Sequence, residues 1–308
     1  MPAPPPSTAA AHRMTHRRSG RSGLHLPVLS LSLAGGKKPL PAPSALIHHA
    51  VNEGITHFDF TPRRGQISAT ADGTIGHALA TVRAWRGDVT VSTRIGLGTG
   101  PGPLAGFGSR GHLLSQLNTL LRHTGLDYVD ILYAHRYDHT CPLEETMGAL
   151  ASAVHQGKAL YVGLSGFGPS VLARAAVLLN RLGTPAVLYQ ASYSLLDRWL
   201  EGKILDVLDL HGIGCVAGAP LAGAALTGRG RALAAPPEVL SALSPIAAER
   251  GQSLAQLALS WTLHNPRITS ALLSTSQFDH LSEAREAVGR LDFTPDELAG
   301  INACCPPA

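Results

Sequence analysis

Three side chains that could carry acid–base and anion-binding chemistry stand at or near the ends of short apolar runs: Asp59, Arg94 and His135. Histidine is the only one of these groups that titrates near neutral pH, so His135 could donate and accept protons. A guanidinium stays protonated and binds carboxylate, phosphate or enolate oxygens, and Asp59 could hold Arg94 through a bidentate pair. The same residues also allow structural interpretations, in which the histidine belongs to the core and the ion pair stabilises the rim of the fold.

Short apolar runs with β-strand character alternate along the chain with longer helical stretches, which is typical of parallel βαβ units. The predicted strands are 26–33, 56–60, 88–94, 128–134, 159–165, 186–190, 214–218 and 269–274. Eight strands favour an α/β fold of the closed (β/α)₈ TIM-barrel type over an open sheet. Functional residues of such a barrel lie at the carboxyl ends of its strands, which here carry Asp59, Arg94, His135, Ser165, Gln190, Gly218 and Ser274.

The composition limits the classes of function. The chain has 308 residues, is 44% hydrophobic and 15% charged, and carries a net charge of +4. Residues 1–52 contain six basic residues and no acidic residue, whereas the rest of the chain contains 19 basic and 21 acidic residues. Without a basic stripe on the body we expect no nucleic-acid partner, and without a long apolar run we expect no membrane span.

The ends of the chain and its cysteines lead to further expectations. Residues 1–20 are expected to be a disordered basic leader, 21–302 a single barrel domain, and 303–308 a tail that includes Cys304 and Cys305. The leader has no apolar core of a secretion signal, so we expect a cytoplasmic protein. The four cysteines form no C-x-x-C pair, which argues against a zinc site or a disulfide scaffold, so no metal is expected.

Five segments resemble the aldo-keto reductases: GITHFDF at 54–60, LDYVDILYAHRYD at 126–138, LEETMGALASAVHQGKALYVGLS at 143–165, YQASYSLLDRW at 189–199 and GQSLAQLALSW at 251–261. The resemblance is closest to the bacterial branch that includes glyceraldehyde-3-phosphate reductase, a branch similar to the potassium-channel β-subunits. It implies a (β/α)₈ barrel that binds an extended NADPH across its C-terminal face.

The resemblance also implies a set of four reductase groups, of which this chain keeps two. Asp59 and His135 match, but Arg64 stands where the family has its proton-donating tyrosine, and Arg94 stands where it has the lysine that lowers the pKa of that tyrosine. An arginine stays protonated and has no acceptor, so it cannot deliver and regain a proton at neutral pH. We expect Arg64 and Arg94 to form a cationic floor for an anion, although they could also merely fill space. Arg63, Tyr137 and His139 are candidates for substrate binding.

The cofactor positions implied by the family are partly changed. Gly218 replaces the aromatic residue that stacks on nicotinamide, Gln277 replaces the base that binds the 2′-phosphate, and Ala284 replaces an asparagine near the adenine. The remaining candidates for cofactor binding are Ser165, Gln190, Leu221, Ser274 and Glu283. We therefore expect no cofactor, with NADPH as the cofactor if the chain is still a reductase.

Three functions stay open for a protein with a small-molecule partner. The first is an enzyme repurposed for non-redox proton chemistry, such as dehydration, isomerisation or cyclisation, with His135 as acid and base. The second is an atypical NADPH-dependent reductase of small aldehydes or ketones. The third is a non-catalytic binding or assembly protein on the same fold.

Overall fold

Eight parallel strands close into a barrel. The computed structural model describes residues 14–33, 42–60, 73–97, 107–227 and 235–307. Two short strands precede the barrel, β1 (His16–Arg18) and β2 (His25–Pro27). The barrel strands are β3 (Leu29–Ser32), β4 (His57–Phe60), β5 (Thr90–Ile95), β6 (Val129–His135), β7 (Ala159–Ser165), β8 (Ala186–Ser192), β9 (Gly214–Gly218) and β10 (Ile268–Leu273). They pair in chain order, and β10 closes the barrel against β3, so the predicted (β/α)₈ architecture is confirmed.

The helices follow the strands and cover the barrel. Those of the described residues are α1 (Pro43–Asn52), α2 (Gly73–Ala84), α3 (Arg110–Thr124), α4 (Leu143–His155), α5 (Pro169–Arg181), α6 (Ile204–His211), α7 (Pro237–Glu249), α8 (Leu254–His264), α9 (Phe278–Ala287) and α10 (Pro295–Cys304). Local sequence starts several of them. Ser109 caps α3 by accepting a hydrogen bond from the His112 N–H, and Ser253 begins α8 with a capping box completed by Gln256.

The predicted strand 26–33 is in fact two strands interrupted at Val28. Only β3 belongs to the barrel, whereas β2 pairs antiparallel with β1 in a separate hairpin. Leu26 of this hairpin is fully buried against the barrel interior, where it joins the cluster of Ile131, Val216 and Leu272. The hairpin therefore closes the N-terminal end of the barrel.

The leader prediction is wrong for residues 14–20, which belong to the fold. Arg17 donates hydrogen bonds to the carbonyls of Leu263 and Ile268, both at 2.6 Å, and burial lowers the pKa of its guanidinium. Ser19 donates to the Val187 carbonyl at 2.6 Å. Bases that looked like a solvated charged arm therefore satisfy backbone carbonyls at the closed end of the barrel. Residues 1–13 lie outside the described residues.

The prediction of a tail at 303–308 also needs correction for Cys304 and Cys305. The chain goes on to form α10, which begins with a capping box between Thr294 and Glu297. Cys304 ends this helix and Cys305 is buried, with its carbonyl accepting a hydrogen bond from Arg198. These two cysteines thus belong to a packed element and not to a mobile tail.

Within the described ranges, no helix combines the length and the apolar character that a membrane span requires. The same part of the chain contains no group of three or more potential metal ligands.

Candidate active site

Asp59 and Arg94 form a buried ion pair at the C-terminal ends of neighbouring strands. Asp59 Oδ2 accepts a hydrogen bond from Arg94 Nη2 at 3.2 Å, and Asp59 Oδ1 accepts one from Ser92 Oγ at 2.8 Å. The register of β4 and β5 places Asp59 beside Ser92, so strand pairing assembles the arrangement. The predicted contact between Asp59 and Arg94 is therefore present, and Ser92 is a further hydrogen-bond partner of Asp59.

The interior below this pair is polar on one side. His57, two residues before Asp59 on β4, contacts Ser30 Oγ through Nδ1 at 2.7 Å and Ser92 Oγ through Nε2 at 2.9 Å. Burial lowers the pKa of the His57 imidazole to about 4, and the nearby Asp59 carboxylate only partly opposes this shift. His57 is thus neutral at physiological pH.

Tyr133 faces the same interior from β6, opposite Arg94 in the strand register. Its hydroxyl is buried and has no hydrogen-bond partner among the described residues. Burial raises the pKa of Tyr133 well above its usual value, the Asp59 charge adds to this effect, and Arg94 opposes it. The phenol is therefore held in its protonated form and lies too deep to reach solvent.

His135, Ser165 and Gln190 lie side by side on β6, β7 and β8. The strand register pairs His135 with Ser165 and Ser165 with Gln190, and His135 Nδ1 lies 3.4 Å from Ser165 Oγ. The Gln190 side chain is buried, and its Oε1 has no hydrogen-bond partner within the described part of the chain. A buried amide oxygen without a donor costs free energy, so its position favours a bound ligand that supplies an N–H.

A wall of aromatic and charged side chains follows His135. Arg136 adopts a left-handed backbone conformation with φ 57°, its N–H donates to the Ser165 carbonyl, and its guanidinium lies 4.5 Å from the ring centre of Phe107. Tyr137 packs near Phe167, with ring centres 6.1 Å apart. A non-glycine residue in this conformation is uncommon and concentrates at functional sites.

The loop that carries this wall is anchored by Asp138. Its carboxylate accepts hydrogen bonds from the backbone N–H groups of Gly108 and Thr140, each at 3.0 Å. Burial raises the pKa of Asp138, but hydrogen bonds from Thr140 and Gly108 outweigh this effect, so the pKa is lowered overall. His139 is exposed beside this anchor. Tyr137 thus contributes to the wall, whereas His139 lies on the surface.

A groove of about 520 Å³ extends along the ends of β9 and β10. Its lining includes the predicted cofactor residues Leu221, Ser274 and Glu283, together with Gln277 and Ala284. Glu283 Oε1 accepts a hydrogen bond from Ser253 Oγ at 2.6 Å. Gly218 precedes this groove, and a Cβ atom built there would lie 3.2 Å from the Ala191 carbonyl oxygen, so a side chain at this position would require a local shift.

A nicotinamide dinucleotide fits one end of this arrangement better than the other. Ser165 and the Gln190 oxygen, which has no donor among the described residues, suit a carboxamide, and the separate groove at the ends of β9 and β10 has room for part of an extended ligand. The described lining of the groove contains no lysine or arginine for a 2′-phosphate. The expectation that no cofactor binds gains no support from these residues and stays a prediction.

Arg63 and Arg64, the other predicted site residues, lie outside the described residues. Sequence reasoning missed His57, Ser92, Tyr133 and Arg136. All four lie within two residues of a residue that was singled out, namely Asp59, Arg94 or His135, so their position in the strands was a usable signal. Whether these side chains point into the barrel or lie at its C-terminal end could be known only from the register between the strands.

Comparisons with known proteins agree with this architecture. Residues 31–305 match the model of the aldo/keto reductase family. The chain is 38% identical to the L-glyceraldehyde 3-phosphate reductase of Escherichia coli K12, over 94% of this chain and 92% of the relative. It is 29% identical to a probable voltage-gated potassium channel subunit beta of Oryza sativa subsp. japonica, over 94% of this chain and 96% of the relative. An Arabidopsis thaliana protein of the same description is also 29% identical.

Proposed function

Because this chain belongs to the aldo/keto reductase family, we propose that it binds a nicotinamide dinucleotide and reduces a small carbonyl compound that carries an anionic group. His135 replaces the usual tyrosine as the proton donor in this proposal. The observation that carries it is the buried Gln190 oxygen beside Ser165, which has no hydrogen-bond donor among the described residues.

Each site residue at the C-terminal ends of the strands has a role that follows from its chemistry. Ser165 and Gln190 would hold the carboxamide of the dinucleotide, which supplies a hydride when bound. The His135 imidazole donates a proton to the substrate oxygen, as an imidazole can near neutral pH. The Arg94 guanidinium, held by buried Asp59, stabilises negative charge that develops on that oxygen.

The proposal that the substrate carries an anionic group is supported by the arginines at the C-terminal end of the barrel, Arg94 and Arg136. Arg136 is exposed next to His135, and its stacking on Phe107 limits the positions that its guanidinium can take. A guanidinium of this kind binds phosphate or carboxylate through paired hydrogen bonds. The relative from Escherichia coli is named for a phosphorylated aldehyde, which is consistent with such a substrate.

A second candidate is the non-redox proton chemistry that the sequence placed first. It uses Asp59, Arg94 and His135, with Arg94 stabilising an enolate or a carboxylate and His135 transferring the proton. The changes at the adenosine end favour it. Gln277 gives the groove no positive charge where the family has a basic residue, and Ala284 gives it no hydrogen-bonding amide where the family has an asparagine. The two candidates differ in whether a dinucleotide binds.

Calorimetric titration of the full-length protein with NADPH and with NADH separates these candidates. Binding of either dinucleotide is expected, and Gln190→Met should weaken it about 5-fold, since one buried hydrogen bond contributes roughly 1 kcal/mol. Gln156→Met is the matched control, because Gln156 lies in the turn before β7 at the opposite end of the barrel.

The outcomes of this titration are distinct. Loss of affinity in Gln190→Met but not in Gln156→Met supports the nicotinamide site, and oxidation of the dinucleotide in the presence of phosphorylated aldehydes would then support reduction. Absence of binding of both dinucleotides contradicts the first candidate and leaves the second, for which a thermal-shift screen with phosphorylated and carboxylated metabolites identifies the ligand class.

A further inference from the structure

A row of five buried polar side chains crosses four adjacent strands inside the barrel. It runs from Ser270 on β10 through Ser30 on β3, His57 on β4 and Ser92 on β5 to Asp59 on β4. The successive contacts measure 2.6, 2.7, 2.9 and 2.8 Å. All five residues are at most 1% exposed. This set, from Ser270 to Asp59, is called the interior relay below.

The direction of every hydrogen bond in the interior relay follows from its end at a carboxylate. Asp59 accepts from Arg94, which can only donate, and its other oxygen accepts the single hydroxyl proton of Ser92. The Ser92 proton is then used, so the contact with His57 must be a donation from Nε2–H to Ser92 Oγ.

The other side of His57 is determined in the same way. A neutral imidazole carries one N–H, so Nδ1 must accept the proton of Ser30, and Ser30 in turn accepts the proton of Ser270. The lowered pKa of His57 agrees with a neutral ring. The opposite direction would point the Ser92 proton away from the Asp59 carboxylate, which can only accept, and would place a Ser92 lone pair against it.

We propose that His57 and Ser92 are positioning residues, which hold the Asp59 carboxylate oriented toward Arg94 through a relay of hydrogen bonds that all point to Asp59. Ser92 fixes Asp59 Oδ1, so Oδ2 stays directed at the guanidinium. His57 in turn fixes the rotamer of the Ser92 hydroxyl. The inference rests on the proposed function only for the role it gives to Arg94, because the hydrogen-bond directions are independent of any substrate.

Two serines provide a matched pair of variants. Ser92→Ala removes the link between His57 and Asp59, whereas Ser270→Ala removes the first donor and leaves every bond from Ser30 onward in place. Both serines are fully buried in barrel strands, and both lose the same hydroxyl. A purely structural role predicts similar effects of the two substitutions, but a positioning role predicts that only Ser92→Ala changes the environment of Arg94.

The test is a long-range ¹H–¹⁵N correlation spectrum of the ligand-free, full-length protein at neutral pH. His57 is assigned among the 15 histidines by the signal that His57→Gln removes. A single neutral tautomer protonated at Nε2 is expected, unchanged in Ser270→Ala. Ser92→Ala should lose the single tautomer and broaden the Arg94 guanidinium signals.

Three results would overturn the inference: protonation of His57 at Nδ1, a charged imidazole at neutral pH, or a Ser270→Ala spectrum changed as much as that of Ser92→Ala. Because no dinucleotide is present, failure of the proposed reductase activity does not affect this outcome.

Discussion

Removal of the Arg94 guanidinium should destabilise the protein far more than removal of an arginine whose carboxylate partners are exposed. Asp59 has a side chain that is 0% exposed, whereas Arg94 is 22% exposed. Removing one partner of a buried ion pair typically costs about 3–5 kcal/mol, because the remaining charge is left in a low-dielectric interior. Ser92 still donates to Asp59, and the site is partly open at Arg94, so Arg94→Met is expected to cost about 2–4 kcal/mol.

The matched control is Arg267→Met. Arg267 pairs with Asp206 at 3.1 Å and with Asp209 at 3.3 Å, but the three side chains are 35%, 72% and 57% exposed. Exposed ion pairs contribute roughly 0–1 kcal/mol, because water solvates the partners equally well after the pair is lost. The two substitutions therefore remove the same chemical group from surroundings of different polarity.

A double-mutant cycle completes the experiment. Asp59→Asn should itself be destabilising, and the double variant Asp59→Asn/Arg94→Met should cost less than the sum of the single effects, with a coupling of about 1–3 kcal/mol. Urea unfolding followed by the fluorescence of Trp85, Trp199 and Trp261 gives each free energy of unfolding. Additive single effects, or equal losses in Arg94→Met and Arg267→Met, would refute the buried pair.

Three further outcomes are expected. Leu26→Ala should lower the free energy of unfolding by about 2–5 kcal/mol, because this fully buried side chain closes the barrel, whereas Leu210→Ala at an exposed position should have little effect in the same urea assay. The pKa of His57 is lower in the folded state than in the unfolded state, so the unfolded chain binds the proton first as the pH falls. The free energy of unfolding should therefore decrease between about pH 6.5 and 4, by at most about 3 kcal/mol. In urea titrations, His57→Gln should reduce this dependence of the free energy of unfolding on pH. Gln277→Arg should raise the affinity for NADPH about 10-fold and leave that for NADH unchanged, as measured by calorimetry, and an equal gain for both dinucleotides would contradict a 2′-phosphate contact at this position.

Much of the barrel could be predicted because its signals are local. The runs 159–165 and 214–218 were predicted with the bounds of β7 and β9, since each strand is a short apolar stretch bounded by helical sequence. The capping box of Thr294 and Glu297 is an equally local signal for the start of α10.

The N-terminal hairpin could not be inferred in the same way. Its bases Arg17, Arg18 and Arg21 have the composition of a solvated arm, and nothing nearby in sequence tells them apart from one. Their partners lie far along the chain, as in the bond from Arg17 to the Ile268 carbonyl. Only the closed barrel brings those carbonyls to the hairpin.

The sequence by itself determined which chemical groups stand at the strand ends: a histidine, an aspartate and an arginine, together with Ser165 and Gln190. Side-chain type and position along a strand are properties of the chain alone. The tertiary structure decided which of these groups meet. The bond from Ser92 to Asp59, the unpartnered oxygen of Gln190 and the interior relay all depend on the register between strands that are distant in sequence. Hydrogen bonds need atoms placed within a few tenths of an ångström, and only the closure of the barrel supplies that precision.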